Sequence, residues 1–552
     1  MNKIVLIAFF ALCYGNISGY SQTTEKLTES VYFNTSDSLL QKLYHSAEEK
    51  AKWNIAQFGK YKVLVEGAGY NAVWLETQPM GGYMYAKRDL DIARNNFEIF
   101  MDYQRSDGRL PGMISKNDTT LIAHYGWLQG FCFASPAFET YFLLNWDKAF
   151  IGKLYNTLEK FDDYLWRTRD SDGDECLETW CVWDTGEDNG IRFGKAPNAW
   201  PLDSPPSWES IQAMSESRKE EAIKGTHQIS DSEFPLPIES MDIMSYSYSC
   251  RTILSRVSAE IGNGKDVYWK EKAEKVRAAL KSRLWDFKEH ACFDKDRSNK
   301  KMDILLHNNL RCMYFGSFDQ QMADEFIRYH LMNRNEFWTP FPLPSIAAND
   351  KMFRNEPGNS WSGQPQGLTY QRSIGALENY GHFAELTLLG QKFLDNLKKN
   401  TRFTQQYDPF TGVPNSTSDG YGPAILTTLE FVTRMFGIHV SEDKIYWSCI
   451  DSPENYQYAQ KYRNSTYQME SNGRMIDCYV NGKKILSFSK GIRIITDLDG
   501  QLIGVVGIET KKKKAIVRVN DKVYSFGVSP NSSFSFSGRM KKNRSIPFYK
   551  PF

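Results

Sequence analysis

The chain is poor in the residues that build metal knuckles and disulfide frameworks. Nine cysteines and eight histidines are spread over 552 residues, with no CxxC pair and no HxxxH or HxH spacing, so a zinc site has no support. Cys13 lies in an N-terminal apolar run. The other eight, Cys132, Cys176, Cys181, Cys250, Cys292, Cys312, Cys449 and Cys478, are too scattered for a disulfide scaffold. Only Cys176 and Cys181 are near enough in sequence to bridge, and a pair of buried thiols is an equal reading. Excess charge is missing as well. With 67 Lys and Arg against 66 Asp and Glu, the formal net charge is +1, without the basic surplus that marks a nucleic-acid binder. The lysines from Lys511 to Lys514 flank strand-like sequence and read as solvated edge protection. No apolar run beyond the N-terminus is long enough to span a bilayer.

What is present begins with an export signal. Lys3, the apolar stretch from Ile4 to Leu12 and the small residues Ser18, Gly19 and Ser21 have the form of a secretory signal peptide over 1–21, cut before Gln22. A soluble protein of the periplasm or medium is expected, with no membrane insertion after signal removal. The remaining length exceeds one ordinary core. From 22 to 437 apolar residues recur at helical spacing in about twelve segments, in pairs. That number of antiparallel pairs can close into an (α/α)6 toroid, with loops gathered at one mouth. Gly194–Pro237 is rich in Pro and Ser and reads as a long insertion or lid. From 438 to 552 short alternating runs, separated by Asn481-Gly482, Asp499-Gly500 and Asn520-Asp521, predict a C-terminal antiparallel β-sandwich. The expected fold class is therefore mainly α, a toroid followed by a β-domain.

Between the helical segments, Arg169–Phe193 has neither period. It crowds carboxylates around Trp180 and Trp183, which suits carbohydrate cleavage: acids to move protons and flat faces to hold sugar rings. A solvated acidic loop is the plain alternative, but exposed tryptophans would be costly. Asp170, Asp172 and Asp174 alternate like the first ligands of a calcium loop. Gly173 is not at the sixth position, however, and Cys181 stands where the closing Glu belongs. No cofactor is required by the sequence, and calcium is the cation that these three would take. Trp127 in HYGWLQG (124–130) and Trp361 interrupt helical periods beside Gly, Gln and His, as sugar platforms do.

The stretch Trp183–Phe193, WDTGEDNGIRF, resembles the Trp-Glu-Ser-Gly-x-Asp-Asn-Ser-Pro-Arg signature of glycoside hydrolase family 63 and the related trehalases and mannosylglycerate hydrolases. RDSDGD (169–174) matches the run that introduces it. VWLETQP (73–79), QRSDGRLPGM (104–113), FPLPSIA (341–347) and NSWSGQPQG (359–367) follow the family's other site segments in order. The resemblance implies inverting chemistry on an (α/α)6 barrel, with Asp188 as general acid. It implies substrate contacts from Trp74, Gln78, Trp127, Trp183, Asn189, Trp361, Gln364, Gln405, Gln406 and Tyr407. Three departures stand out: Gly190 and Ile191 replace Ser-Pro, and Asp184 replaces Glu. The third concerns the base, because TQQYDPFTG (404–412) has glutamine where the family places the catalytic Glu. A glutamine amide cannot take a proton from water at neutral pH, though it can position that water.

The sequence therefore predicts an exported glycosidase acting on an α-linked neutral oligosaccharide or glycoside with inversion. A relocated base would be Glu76 first and Glu378 second. A catalytically degenerate carbohydrate-binding protein is the first alternative. A polysaccharide lyase is the second, although no basic cleft is evident.

Overall fold

The computed structural model describes residues 30–552 apart from 68, 119, 195, 214–233, 416 and 417. The expected signal peptide and about half of the Pro- and Ser-rich insertion, 195 and 214–233, therefore lie outside the described residues. Thirteen α-helices are present among those described. They are α1 (Ser38–Trp53), α2 (Thr77–Tyr85), α3 (Leu90–Asp102), α4 (Ala134–Leu143), α5 (Lys148–Thr168), α6 (Trp208–Ala213) and α7 (Met241–Ile261). The rest are α8 (Asp266–Arg283), α9 (Asn308–Phe315), α10 (Gln320–Phe326), α11 (Gly367–Asn379), α12 (Phe383–Leu397) and α13 (Gly422–Phe436). All except α6 coincide with segments whose spacing predicts a helix.

Local chemistry sets several starts and stops. Asp37, Asp89, Asp147 and Asp319 each accept backbone N–H groups at the start of α1, α3, α5 and α10, supplying partners that the first turn lacks. Gly262 and Gly316 end α7 and α9 in the left-handed conformation, which glycine adopts without a Cβ clash.

Helix packing forms a closed cycle: α2 on α4, α4 on α7, α7 on α9, α9 on α11, α11 on α13, and α13 back on α2. Outside it, α3 lies on α2, α8 on α7, and α1 on α13. Composition follows position. All fifteen residues of α13 are buried, whereas α8 buries only Trp269, Ala273, Val276 and Leu280, the single stripe of an outward-facing helix. The six cycle helices begin at Glu76, Phe133, Ser240, His307, Gln366 and Tyr421 as their cap residues.

The C-terminal strands form two antiparallel sheets. Seven strands run in the order Val31–Thr35, Tyr456–Tyr462, Ser465–Asn472, Met475–Val480, Lys483–Ser489, Lys513–Val519 and Lys522–Val528. The other six are Ile438–Ser441, Lys444–Cys449, Ile492–Asp497, Leu502–Gly507, Ser532–Phe536 and Met540–Ser545. The sheets meet where Trp447 packs edge-on against Tyr467, ring centroids 6.0 Å apart. Asn481 and Gly482 both have positive φ, 51° and 77°, as a tight hairpin turn requires. The edge strand Val31–Thr35 pairs with Tyr456–Tyr462, so the first described strand belongs to a sheet of C-terminal strands rather than to the helices. Sequence alternation there is too short to reveal a partner some four hundred residues away.

Charge locks the sheets to the helices. Glu378 at the end of α11 accepts from Arg434 of α13 at 3.2 Å and from Arg493 of a sheet strand at 2.8 Å. Arg493 also donates to Ser448 Oγ at 2.8 Å and to the Arg434 carbonyl at 3.3 Å. Removing the one shared carboxylate would leave two buried guanidinium groups facing each other. Glu378→Ala is therefore expected to cost about 3 kcal/mol, measured as a lowered denaturant midpoint with the slope unchanged.

Candidate active site

The loops that precede the cycle helices converge on a cavity of about 340 Å³. Glu66, Tyr70, Trp74, Glu76, Thr77, Met113, Trp127, Gln129, Trp183, Gly186, Asp188, Asn359, Trp361, Leu368, Gln405 and Tyr421 line it. Four tryptophans and three carboxylates from segments far apart in sequence thus share one space.

The acidic loop is shaped by a buried ion pair. Arg169, at the end of α5, donates to Asp184 Oδ2 at 2.5 Å, and neither side chain is exposed. Asp184 also accepts from the backbone N–H of Leu128 at 2.9 Å and of Trp180 at 2.8 Å. The backbone carbonyls of Trp183 and Asp184 take the N–H groups of Gln129 and Gly130 at 3.0 Å each. This ties the acidic loop to a segment in which Gln129, Gly130 and Phe131 all have positive φ. Glu187 points away from the cavity. Burial pushes its carboxyl up, but Arg192, Arg311 and His307 outweigh that and hold it well below the usual range. Carboxylates from one acidic stretch therefore divide into framework and cavity groups.

Asp188 is the member left facing the cavity. Its backbone carbonyl accepts from Trp361 N–H at 3.1 Å, and its Oδ2 accepts from Asn359 Nδ2 at 2.8 Å. Burial is the largest influence and, with the charge of Glu76, pushes the carboxyl up to about 6 against the opposing bonds from Asn359 and Trp183. Asn359 also accepts from Gln405 Nε2 at 2.5 Å, so one amide connects Asp188 to the one of the two glutamines, Gln405 and Gln406, that lines the cavity.

Glu76 is in the cavity but is already engaged. Arg372 of α11 pairs with its Oε1, and Gln129 donates to its Oε2 at 3.3 Å. Burial raises this carboxyl against the pull of Arg372 and Arg311. Held at both oxygens, it resembles an anchor for the wall more than a group free to accept a proton from water. Glu378, the second choice for a base, is a correction: it is at the helix–sheet junction between Arg434 and Arg493. The helical period placed it at the end of α11 but could not show toward which face that end turns.

Of the expected sugar contacts, Trp74, Trp127, Trp183, Trp361 and Gln405 line the cavity. Asn189 is exposed beside it and donates to the Asn359 carbonyl at 3.0 Å. Four others are not among the residues that line the cavity, and each has a partner in the framework. Gln78 accepts from Trp74 N–H at 2.5 Å, and Gln364 donates to Asn355 at 2.8 Å. Gln406 bridges Asn359 N–H and the Ser360 carbonyl, and buried Tyr407 accepts from Thr404 N–H at 3.0 Å. Glutamine and tyrosine serve loops and ligands equally well, so residue type alone does not separate the roles.

Asp170, Asp172 and Asp174 bring carboxylate oxygens within 4.8 Å of one another. Arg283 of α8 already pairs with Asp174, placing a cation of the chain's own beside the set and weakening the calcium reading. Cys176 and Cys181 are free and buried, as are the other six described cysteines. Residues that the sequence did not single out are Glu66, Tyr70, Gln129, Asn359 and Tyr421. The available signal was a carboxylate between apolar and glycine residues in VEGAGYN, just before Trp74.

The family model described as a mannosylglycerate hydrolase MGH1-like glycoside hydrolase domain matches residues 83–422. No curated protein sequence matches the chain. Among solved structures, the family 63 mannosylglycerate hydrolase of Thermus thermophilus in complex with glucose superposes with a TM-score of 0.54 at 17% identity, covering 70% of this chain and 99% of that one. The neutral trehalase of Saccharomyces cerevisiae gives 0.51 at 13%, covering 70% and 80%. The family 78 rhamnosidase of Bacillus sp. GL1 gives 0.54 at 10%, covering 84% of this chain and 40% of that one. At such identities the likeness is one of fold.

Two glycines make room for the Glu76 anchor. A Cβ on Gly130 would meet Glu76 Oε1 at 2.8 Å, and one on Gly186 would come closer still to the same carboxylate. Gly186 also has φ +71°. Gly186→Ala should therefore cost about 1–3 kcal/mol in stability and displace the cavity wall, lowering turnover at least tenfold. A turnover assay beside a thermal melt checks both parts.

Proposed function

Because the chain belongs to the mannosylglycerate hydrolase MGH1-like glycoside hydrolase family, we propose that the cavity hydrolyses a short, neutral, α-linked glycoside or oligosaccharide with inversion. Asp188 protonates the departing oxygen. The observation that carries this is the Asp188 carboxyl itself: it faces a tryptophan-lined cavity and is pushed up to about 6. It therefore keeps its proton nearer neutrality than an ordinary aspartic acid, as a general acid must. The family's closed α-helical architecture supports reading the helix cycle as an (α/α)6 toroid and the two sheets as a β-sandwich appended to it.

The lining supports a neutral substrate of limited size. It holds Glu66, Glu76 and Asp188 but no Lys or Arg among the described residues, so an anionic sugar would enter without a compensating charge. A volume of about 340 Å³ lies at the small end of the roughly 300–1,000 Å³ usual for ligand sites, which suits a short substrate. Trp74, Trp127, Trp183 and Trp361 supply faces against which sugar C–H groups pack. The N-terminal signal supports export to the periplasm or medium. Calcium at Asp170, Asp172 and Asp174 would stiffen a loop segment that does not line the cavity, and no step depends on it.

A second reading has one observation in its favour. Gln405, one of the two glutamines where the resemblance expects the base, is hydrogen-bonded to Asn359, which suits a binding protein that has lost hydrolysis. Asp188→Asn separates the two. In an enzyme, turnover should fall about 10²- to 10⁴-fold with the melting temperature unchanged, and NMR of the wild-type reaction should show the inverted anomer first. Turnover within threefold of wild type in the variant would refute the acid assignment. A wild type that binds but cleaves none of a panel of α-glucosides, α-mannosides and α-rhamnosides would favour the binding protein.

A further inference from the structure

We propose that Glu66 is the second catalytic carboxyl of the site, the base that removes a proton from the attacking water in place of the glutamate that Gln405 replaces. The inference rests on the hydrolase reading above. Glu66 precedes the Trp74 loop in sequence and lies outside the acidic stretch, yet it lines the same cavity as Asp188.

Its position relative to the vacated base is fixed by backbone bonds. The Glu66 carbonyl accepts from Gly422 N–H at 2.5 Å, and the N–H groups of Gly420 and Tyr421 both donate to the Phe403 carbonyl at 2.9 Å. Glu66 is thereby joined, through the start of α13, to the segment that carries Gln405. A carboxylate missing from one strand of the wall is supplied by its neighbour. The three cavity carboxylates also differ in their partners. Glu76 is paired with Arg372, and Asp188 accepts from Asn359. Among the described residues no Lys or Arg pairs with Glu66. It faces the Tyr421 hydroxyl, which lowers its carboxyl, and the charges of Glu76 and Asp188, which raise it. A carboxylate without a cation on its oxygens is free to accept from water, whereas Glu76 is engaged at both of its own.

The step balances without a co-reactant. Water forms the new O–C1 bond and passes its proton to Glu66. The glycosidic C1–O bond breaks, and the proton of Asp188 goes to the departing oxygen. Solvent then reprotonates Asp188 and takes the proton from Glu66. Burial, the largest influence, and the neighbouring charges push Glu66 to about 8, while Asp188 is at about 6. The pair therefore holds one proton between about pH 6 and 8, and these values belong to the pair rather than to either group. Below that window no base remains, and above it no acid remains. kcat/KM should be bell-shaped with those limbs. In the productive arrangement that proton is on Asp188 and Glu66 is ionised.

α-D-Glucosyl, α-D-mannosyl and α-L-rhamnosyl fluorides test the assignment, because fluoride leaves with little acid help whereas water still needs its base. Asp188→Asn is expected to keep fluoride turnover within about tenfold of wild type. Glu66→Gln should lose about 10²- to 10⁴-fold in kcat on fluorides and ordinary glycosides alike, with KM little changed, and one limb of the pH profile should disappear. Glu66→Asp, which keeps the carboxylate, should retain measurable turnover and the bell shape. That guards against reading a folding defect as catalysis. Fluoride turnover by Glu66→Gln within threefold of an active wild type would overturn the proposal. A wild type inert toward all three fluorides and the glycoside panel would overturn the hydrolase reading beneath it.

Discussion

The buried Arg169–Asp184 ion pair is the interaction on which the site's shape depends. Two charges without solvent exposure survive only when their remaining hydrogen-bonding capacity is filled. Here Asp184 also takes the N–H groups of Leu128 and Trp180. One carboxylate thus fixes the end of α5, the acidic loop and the segment before α4 relative to one another. Asp188, four residues further on, lines the cavity, and Asp184 does not. The same arrangement seats Gln129 and Gly130 against Glu76, so the anchor and the acid share a support.

Around that support the chain uses buried charge in three ways. Arg192 and Arg311 neutralise Glu187 beneath the cavity. Arg372 holds Glu76 in its wall. Arg434 and Arg493 clamp Glu378 where the helices meet the sheets. In each place a guanidinium supplies several fixed donors and loses its charge to no accessible pH. Of the three carboxylates that line the cavity, Asp188 and Glu66 are left without such a partner, and the proposed chemistry is assigned to them. Sorting the acids by what neutralises them discriminates better than sorting them by sequence neighbourhood.

The helices were legible because each must bury an apolar face at a 3.6-residue period, and twelve segments carry that signal. The hairpins were legible from Asn-Gly and Asp-Gly turns. The acidic loop and Asp188 could be picked out because carboxylates beside tryptophans fit neither period. What was not legible was direction. Gln78, Gln364, Gln406 and Tyr407 have the chemistry of sugar ligands, yet none lines the cavity and each has a hydrogen-bond partner within the framework. Glu378 has the chemistry of a base, yet it faces two arginines.

By itself the sequence determined the element types, the helical and strand-rich halves, the family motifs and the substitution of the expected base by glutamine. These follow from local periodicity and residue chemistry, which need no knowledge of distant contacts. Tertiary structure alone decided which acids meet. Closing the helix cycle sets the starts of its members side by side, and this puts Glu66, Asp188, Asn359 and Gln405 in one cavity although they come from four separate stretches. It also decided that Val31–Thr35 would complete a sheet of C-terminal strands. An edge strand needs only unpaired backbone N–H and C=O groups opposite it, and no side-chain pattern records which edge will offer them.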